Sequence, residues 1–269
     1  MPEGDTIHRT ARTLRRAIGG ERINAYWTRL PSLRGAALEG RRVKAVRARG
    51  KNLLIDFDGG ASHAPITMHT HMLMTGSWHI YRDGDRWKKP RRAADIVLST
   101  PRWNAVAFSV PMAALLRSDS ASSLLRRLGP DLLDPSVSDD ALLERLQADG
   151  GSPLGEALLR QSNLCGIGNV YKSEVCFIEG LNPFLPVAQQ PKEGLRRTIR
   201  TARRLLKRNL RGASRITTGP TREQRLWVYG RSGDLCFRCD TAIAMRRQGS
   251  TGRSTYYCPA CQNVNRITK

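Results

Sequence analysis

Two Cys-x-x-Cys pairs near the end of the chain constrain its fold more than any other feature of the sequence. The first pair is Cys236 and Cys239, the second is Cys258 and Cys261, and 18 residues lie between the pairs. Each pair supplies two thiolates from one tight turn, and a hairpin brings the pairs together, as in structural zinc sites. We therefore predict one structural Zn²⁺ ion bound by four sulfurs, with no open coordination position for catalysis.

The residues between the two pairs predict a β-ribbon. Residues 242–247 and 254–257 have the pattern of two strands, and the connector 248–253 is small, flexible and basic, with Arg253 at its end. An arginine at the tip of such a ribbon is suited to probing a DNA groove or an extruded nucleotide. Cys165 and Cys176 have no partner at ligand spacing, so we interpret them as buried thiols.

The charge of the chain requires an acidic partner. Lys and Arg number 45 against 23 acidic residues, for a formal net charge of +22. Nucleic acid is favoured over a membrane surface, because the uncharged, largely apolar stretch 104–116 is much shorter than the ~20 residues that a membrane span needs. Residues 192–231 contain 13 basic residues and two acids, a density that favours phosphate contact over a merely solvated helix face. With no signal peptide and cysteines spaced for a metal, we expect an intracellular, cytoplasmic protein.

The hydrophobic patterns predict an α+β protein with two domains. The N-terminal domain, residues 1–116, is expected to contain a helix capped by Asp5 and a β-sandwich or flattened barrel. Its strands are predicted over residues 42–47, 53–57, 66–72, 76–81, 95–100 and 105–110, and the first two form a hairpin with Lys51 at its tip.

The rest of the chain is predicted to be helical up to the cysteines. A connector over 117–134 leads to a helical domain over 135–225, and the zinc finger occupies 226–269. Helices are expected over residues 141–148, 156–161 and 170–179, followed by a long basic helix with an apolar stripe between Leu195 and Leu210.

Four segments together resemble one enzyme family. They are Met1-Pro2-Glu3-Gly4-Asp5, Gly50-Lys51, Gly166-Ile167-Gly168-Asn169-Val170-Tyr171 and Gly252-Arg253-Ser254-Thr255-Tyr256-Tyr257-Cys258-Pro259-Ala260-Cys261-Gln262. In this order along the whole chain they resemble the formamidopyrimidine-DNA glycosylase/endonuclease VIII (Fpg/Nei) family of base-excision repair. The Pro-Glu-Gly sequence at positions 2–4 is similar to the N-terminal sequence of the endonuclease VIII branch. The resemblance implies a helix-two-turn-helix domain, a zinc finger, DNA as partner, and both glycosylase and abasic-site lyase activity.

The chemistry expected at the N-terminus can be argued from the residues as well. Methionine before proline is expected to be removed, which would expose a secondary amine at Pro2. An α-amine has a pKa near ~8, below the ~10.4 of lysine, so part of it is a free nucleophile at neutral pH. Attack on the sugar C1′ would displace the base and leave an iminium ion, which acidifies the C2′ proton and permits strand cleavage. Glu3 is positioned in the sequence to act as the acid/base group.

The resemblance also implies roles for four further residues. Lys51 and Arg253 would contact phosphates and assist catalysis, and the guanidinium fork of Arg253 can bind two phosphate oxygens at once. Asn169 would bind a phosphate, and Arg127 would contact DNA.

The residues that fill the gap left by an extruded base are harder to predict. Leu73-Met74-Thr75 stand where the endonuclease VIII pattern has Gln-Leu-Tyr, so Leu73 and Met74 are candidates, although Met74 also fits a core position. Arg102 and Trp103 are the candidates on a second loop.

The sequence therefore predicts a monomeric DNA glycosylase and lyase that removes oxidised bases, pyrimidines in preference to purines, from double- or single-stranded DNA. A non-catalytic damage-binding protein and a zinc-ribbon RNA-binding protein are the alternatives. Uracil, formamidopyrimidine and 8-oxoguanine stay open as substrates, as does the choice between β- and β,δ-elimination.

Overall fold

The computed structural model describes residues 2–59, 64–212, 214–219 and 223–263, and the chain divides into two compact units, Met1–Arg127 and Leu128–Lys269. Within the described residues, no helix combines the length and the apolar composition that crossing a bilayer demands.

Antiparallel strands make up most of the first unit. In chain order they are β1 (Ala25–Thr28), β2 (Val43–Arg49), β3 (Asn52–Phe57), β4 (Ile66–His71), β5 (Ser77–Arg82), β6 (Ala94–Ser99), β7 (Trp103–Phe108) and β8 (Met112–Arg117). One sheet has the order β2-β3-β4-β8 and the other the order β1-β6-β7-β5. The predicted hairpin is present, with Arg49 opposite Asn52 beside the turn.

The two sheets and helix α1 (Gly4–Ile18) share one hydrophobic core. Val46 and Phe57 from one sheet, Ile96 and Ala107 from the other, and Leu14 of α1 all belong to it. The predicted sandwich with an N-terminal helix is thus confirmed. The unit ends with helix α2 (Ser118–Arg126), and short 3-10 helices occur at Pro31–Leu33 and Arg91–Ala93.

Strands β1 and β8 have no counterpart among the predicted ones. Strand β8 reads Met-Ala-Ala-Leu-Leu-Arg, which lacks polar alternation and is composed of good helix formers. It is a strand because it pairs along its whole length with β4, from Ile66 opposite Arg117 to His71 opposite Met112.

Helices form the body of the second unit. They are α3 (Asp139–Gln147), α4 (Leu154–Leu159), α5 (Asn169–Ile178) and α6 (Lys192–Arg208), with a 3-10 helix at Val187–Gln189. These four agree with the predicted helices to within about two residues at most ends, and their apolar faces form a core around Leu158, Tyr171 and Leu206. Strands β9 (Ala244–Gln248) and β10 (Arg253–Tyr257) form the predicted ribbon, with Arg253 opposite Gln248.

Candidate active site and metal centre

The start of helix α1 fixes the N-terminal residues. Glu3 is the N-cap with an extended backbone (φ −123°, ψ −174°), and its carbonyl oxygen accepts hydrogen bonds from the N–H groups of Thr6 (2.9 Å) and Ile7 (3.1 Å). The prediction that Asp5 caps the helix is therefore wrong, because these bonds start the helix at Gly4 and place Asp5 in its first turn.

Pro2 and Glu3 differ sharply in exposure. The Glu3 side chain is fully buried, whereas Pro2 is partly exposed. The buried face of α1, which includes Ile7 and Leu14, anchors this end of the helix in the core. Pro2 thus lies beside the positive end of the helix dipole, which disfavours protonation of an amine there and attracts phosphate. Met1 lies outside the described residues, so its removal stays a prediction.

Lys51 lies in the turn between β2 and β3. Gly50 takes a positive φ of 57°, which a tight turn requires and a side chain disfavours. The base of the turn is secured by Asn52, whose side-chain oxygen is 2.8 Å from Nε2 of buried His69. Burial and the positive charge of Lys51 together lower the pKa of His71, the last residue of β4. The Lys51 ammonium group therefore lies close enough to the His71 imidazole to repel its protonated form.

The loop after β4 presents two apolar side chains to solvent. Met72 is buried, whereas Leu73 is 43% exposed and Met74 is 63% exposed, so Met74 is not a core residue. Leu73 has a φ of +44°, and its N–H donates to Nδ1 of His71 (3.2 Å). A non-glycine residue in this region of φ is strained by roughly 1–2 kcal/mol, and such strain is found most often at functional sites. Lys51, Leu73 and Met74 therefore lie at the same end of one sheet.

The second loop at this end is not the predicted one. Arg102 and Trp103 lie at the far end of β7, where Arg102 pairs with Glu21 (2.9 Å) and the guanidinium of Arg82 covers the Trp103 ring. The loop beside Met72–Gly76 instead follows Phe108, since the Thr75 hydroxyl donates to the Ser109 carbonyl (3.0 Å).

Met112 is the residue that this loop contributes. It pairs with His71 across β4 and β8 and is 51% exposed, so it lies beside the Leu73–Met74 loop. Met112 was not among the predicted site residues because β8 was not predicted, although Pro111 separates its segment from β7.

Arg127 is the last residue of the first unit. It follows α2 as its C-cap and is exposed. Its proposed contact with DNA stays a prediction.

Asn169 and Arg253 come together in the second unit. Gly166 takes a φ of +108°, and α5 then begins at Asn169, whose amide Nδ2 donates to Oγ of Ser254 (2.9 Å). Ser254 follows exposed Arg253 at the start of β10, so the helix start and the ribbon tip are adjacent. The Oδ1 atom of Asn169 is buried without a hydrogen-bond partner among the described residues.

A buried lysine, which sequence analysis missed, holds the same strand. The Lys172 side chain is fully buried, and its Nζ donates to the Ser254 carbonyl (2.9 Å) and to Oγ1 of Thr255 (2.7 Å). Thr255 donates in turn to Oε1 of Gln248 (2.9 Å). A Cβ at Gly155 would lie 2.5 Å from that same oxygen, so any larger residue there would displace the Gln248 side chain.

Glu174, two residues after Lys172 on α5, binds the segment that leads into the cysteine cluster. Its fully buried carboxylate accepts from the N–H groups of Trp227 (2.8 Å), Val228 (2.9 Å) and Tyr229 (2.8 Å) and from the hydroxyl of Thr217. Burial raises the pKa of the Glu174 carboxyl, and the four hydrogen bonds oppose that rise.

The four cysteines of the two pairs form a cluster that fits a metal ion. All four sulfurs lie within 4.8 Å of one another, with separations of 3.8 Å for Cys236–Cys261, 3.5 Å for Cys239–Cys258 and 3.4 Å for Cys239–Cys261. Tetrahedral Zn²⁺ with Zn–S bonds of about 2.3 Å separates its sulfurs by about 3.8 Å, whereas a disulfide would need about 2 Å. The sulfurs are therefore spaced as metal ligands.

The other two cysteines are buried thiols, as the sequence indicated. Cys165 and Cys176 are both fully buried, and burial raises the pKa of Cys176 to about 12. Neither belongs to the cluster of four cysteines described above.

Many arginines of helix α6 are engaged within their own unit. Arg196 pairs with Asp140, Arg197 pairs with Glu179 (3.1 Å), and Arg203 pairs with Asp139 (2.7 Å) and also donates to the Val137 carbonyl (2.7 Å). These side chains bind α6 to its neighbours, so the basic run predicted to meet phosphate has a structural role as well.

Comparisons with known proteins agree with the resemblance seen in the sequence. The family model of the formamidopyrimidine-DNA glycosylase N-terminal domain matches residues 1–110, and that of the formamidopyrimidine-DNA glycosylase H2TH domain matches residues 128–219. A probable endonuclease 8 2 of Streptomyces coelicolor is 42% identical over 265 residues, which cover 97% of this chain and 94% of that protein.

Two further proteins extend the comparison. The DNA-(apurinic or apyrimidinic site) lyase Nei2 of Mycolicibacterium smegmatis is 39% identical over 266 residues, covering 98% of this chain and all of that protein. The Fpg protein of Lactococcus lactis, solved in complex with DNA containing an abasic site, has the same fold, with a TM-score of 0.79 at 20% identity over 97% of this chain and 99% of that one.

Proposed function

Because the chain belongs to the formamidopyrimidine-DNA glycosylase/endonuclease VIII family, on its endonuclease VIII branch, we propose that its DNA glycosylase and abasic-site lyase activity in base excision repair runs through the nitrogen of Pro2. The observation that carries this proposal is the placement of a partly exposed Pro2 at the start of α1, directly before a fully buried Glu3.

The reaction begins at the deoxyribose of the damaged nucleotide. The free amine of Pro2 attacks C1′, the bond from C1′ to the base breaks, and the base leaves with a proton. Glu3 protonates the ring oxygen as the sugar opens, which leaves an iminium ion between C1′ and the proline nitrogen. Loss of the C2′ proton then expels the 3′ phosphate, and water releases the enzyme.

Two basic side chains, Lys51 and Arg253, bind the phosphates of the DNA. Lys51, fixed in its turn by Gly50 and Asn52, binds a phosphate beside the damaged nucleotide. Arg253, fixed through Ser254, neutralises the phosphates that leave during elimination.

The loop residues are proposed to fill the gap in the duplex. Leu73 and Met74 are exposed at the end of the sheet that contains Lys51, and Met112 joins them there. Apolar side chains of this kind replace the stacking of the extruded base. Oxidised pyrimidines are the proposed substrates, in double- or single-stranded DNA.

The cysteine cluster is proposed to bind Zn²⁺. Four thiolates complete a tetrahedral shell and leave no position for a substrate, so the ion would stabilise the β9–β10 ribbon and take no part in the reaction. A monomeric state and an intracellular location remain part of the proposal.

Borohydride trapping on duplex DNA with a single abasic site tests the nucleophile. The wild-type protein should form a covalent adduct, and mass spectrometry should find the sugar remnant on the peptide that begins with Pro2. Pro2→Glu, whose bulky second residue retains Met1, should form none, although it still binds the duplex. Arg102→Ala serves as a control outside the proposed site and should trap normally.

Three results separate the proposal from its alternatives. Binding without trapping by the wild-type protein would favour a non-catalytic damage-binding protein. Trapping that persists in Pro2→Glu would assign the nucleophile to a lysine. Tighter binding to structured RNA than to damaged duplex at physiological salt would favour an RNA-binding protein.

A further inference from the structure

A cavity on the outer face of the sheet β1-β6-β7-β5 is not used by the proposed reaction. It has a volume of about 390 Å³ and is lined by the indoles of Trp27 and Trp87, by Arg91, and by Ser99 and Asn104. This volume lies within the range of ~300–1,000 Å³ that is typical of small-ligand sites.

Trp27 offers this cavity an aromatic surface. It lies on the edge strand β1, opposite Val97 of β6, and is 50% exposed although it is a large apolar side chain. The isopropyl group of Val97 is much smaller than an indole, so half of the Trp27 surface stays open at the mouth of the cavity. An open indole of this kind is a stacking surface for a flat ring.

Trp87 and Arg91 form the opposite wall and are held in place. The Trp87 ring stacks on Tyr81 with centroids 5.7 Å apart and meets the edge of Phe108 at 5.9 Å. The guanidinium carbon of Arg91 lies 4.8 Å from the centroid of the Trp87 ring. The indole therefore fixes a cation at the rim before any ligand arrives, which lowers the entropic cost of binding.

The segment around this wall is strongly basic. It contains six cations, namely Arg82, Arg86, Lys88, Lys89, Arg91 and Arg92. Its two acids, Asp83 and Asp85, also line the cavity, where the Asp85 carboxylate accepts from the N–H of Arg82 (2.8 Å) and the Asp83 carboxylate accepts from the side-chain amide of Asn104 (3.5 Å). Six cations against these two acids leave the segment with a net charge of +4. The electrostatic field at the rim thus favours a polyanion.

We propose that this cavity binds a nucleotide of single-stranded DNA. An unpaired base stacks on Trp27, and its phosphates lie against Arg91 and the neighbouring cations. Duplex DNA is excluded because its bases present no free face, and an acidic peptide lacks the flat ring that the exposed indole matches.

The site is separate from the candidate active site. The Met72–Gly76 loop of the candidate active site precedes β5, and the Asp83–Asp85 turn of the cavity follows it. The six residues of β5, at about 3.4 Å each, separate the loop from the turn by about 20 Å. The proposal therefore does not rest on the glycosylase activity.

Anisotropy of a labelled oligothymidylate of about ten nucleotides tests the site, with a short undamaged duplex in excess to occupy other DNA-binding surfaces. Trp27→Ala should weaken binding about tenfold or more with an unchanged salt dependence, and Trp27→Phe should restore it. Arg91→Ala should weaken binding and also reduce the log–log salt slope by about 0.7 for each phosphate that the protein no longer neutralises. Arg102→Ala, which removes an exposed arginine from the neighbouring turn, is the matched control.

The outcomes are distinct. Cleavage of a damaged duplex should be unchanged in Trp27→Ala and Arg91→Ala, so loss of oligothymidylate binding alone supports the site. Equal affinity in all four variants overturns the proposal. Displacement by polyglutamate as effective as displacement by unlabelled oligothymidylate also overturns it, in favour of an acidic peptide.

Discussion

Replacing Glu174 by glutamine should loosen the zinc finger from the helical domain. One carboxylate oxygen accepts from the N–H groups of Val228 and Tyr229, and the other accepts from the N–H of Trp227 and the hydroxyl of Thr217. The amide of glutamine keeps one accepting oxygen and turns an NH₂ group toward the other two donors. The N–H of Trp227 then loses its acceptor at about 1–3 kcal/mol, whereas the Thr217 hydroxyl can accept from the NH₂ group and donate to the Arg225 carbonyl (3.3 Å). We therefore expect a loss of about 1–3 kcal/mol in the free energy of unfolding of the second unit.

Trp227 makes this loss measurable. The tryptophans at positions 27, 78, 87 and 103 all belong to the first unit, so Trp227 is the only one in the sequence of the second. A urea titration of the zinc-loaded protein can follow zinc release into a chromogenic chelator and tryptophan emission at the same time. In Glu174→Gln, zinc release and the emission change of Trp227 should both occur at lower urea than in the wild-type protein. The exposed Glu144→Gln on α3 is the control and should change the free energy by less than about 0.5 kcal/mol. A loss below about 1 kcal/mol in Glu174→Gln would refute the reasoning, since it would mean that the donors find other acceptors.

Three further predictions concern other residues. Burial, aided by the charge of His71, lowers the pKa of His69 to about 4. The contribution of neutral His69 to stability is therefore complete above about pH 6.5 and is lost as the pH falls toward 4, by up to about 3 kcal/mol. In His69→Gln, the urea midpoint should depend less on pH over this window than in the wild-type protein. Lys172→Met, which removes two hydrogen bonds to β10, should lower strand scission several-fold relative to base release on gels that score the two separately. Met112→Ala should reduce base release about fivefold, which corresponds to about 1 kcal/mol of apolar burial against the DNA, with an unchanged melting temperature.

Each of these has a result that contradicts it. An unchanged pH dependence in His69→Gln would show that another group controls acid stability. An equal decrease of base release and strand scission in Lys172→Met would point to a general loss of structure. A lower melting temperature in Met112→Ala would show that the side chain supports the fold.

Features set by local spacing could be predicted from the sequence. The two cysteine pairs predicted the sulfur cluster because each pair forms one turn, and the residues around Gly50 predicted the turn that holds Lys51. The adjacency of Asn169 and Arg253 was not predicted, since the hydrogen bond from Asn169 to Ser254 joins positions 85 residues apart.

Features set by tertiary packing could not be predicted. Lys172 and Glu174 are charged residues on one helix, and such residues normally lie on its solvated surface. Both are fully buried because the ribbon covers one side of α5 and the segment through Trp227 covers another. Met112 escaped prediction for a related reason, since only pairing with β4 makes its segment a strand.

The position of the ribbon tip depends on α5 more than on the cysteine cluster. Five steps along β10 at about 3.4 Å each place the Cα of Arg253 about 17 Å from the Cα of Cys258, too far for the cluster to orient the guanidinium. An isolated two-stranded ribbon is only marginally stable in water, so its tip would otherwise fluctuate. The hydrogen bonds from Asn169 and Lys172 fall on Ser254 and Thr255, the two residues after Arg253. The cysteine cluster therefore closes the base of the ribbon while α5 aligns its tip, and removing the hydrogen bonds from α5 should displace Arg253 without unfolding the first unit.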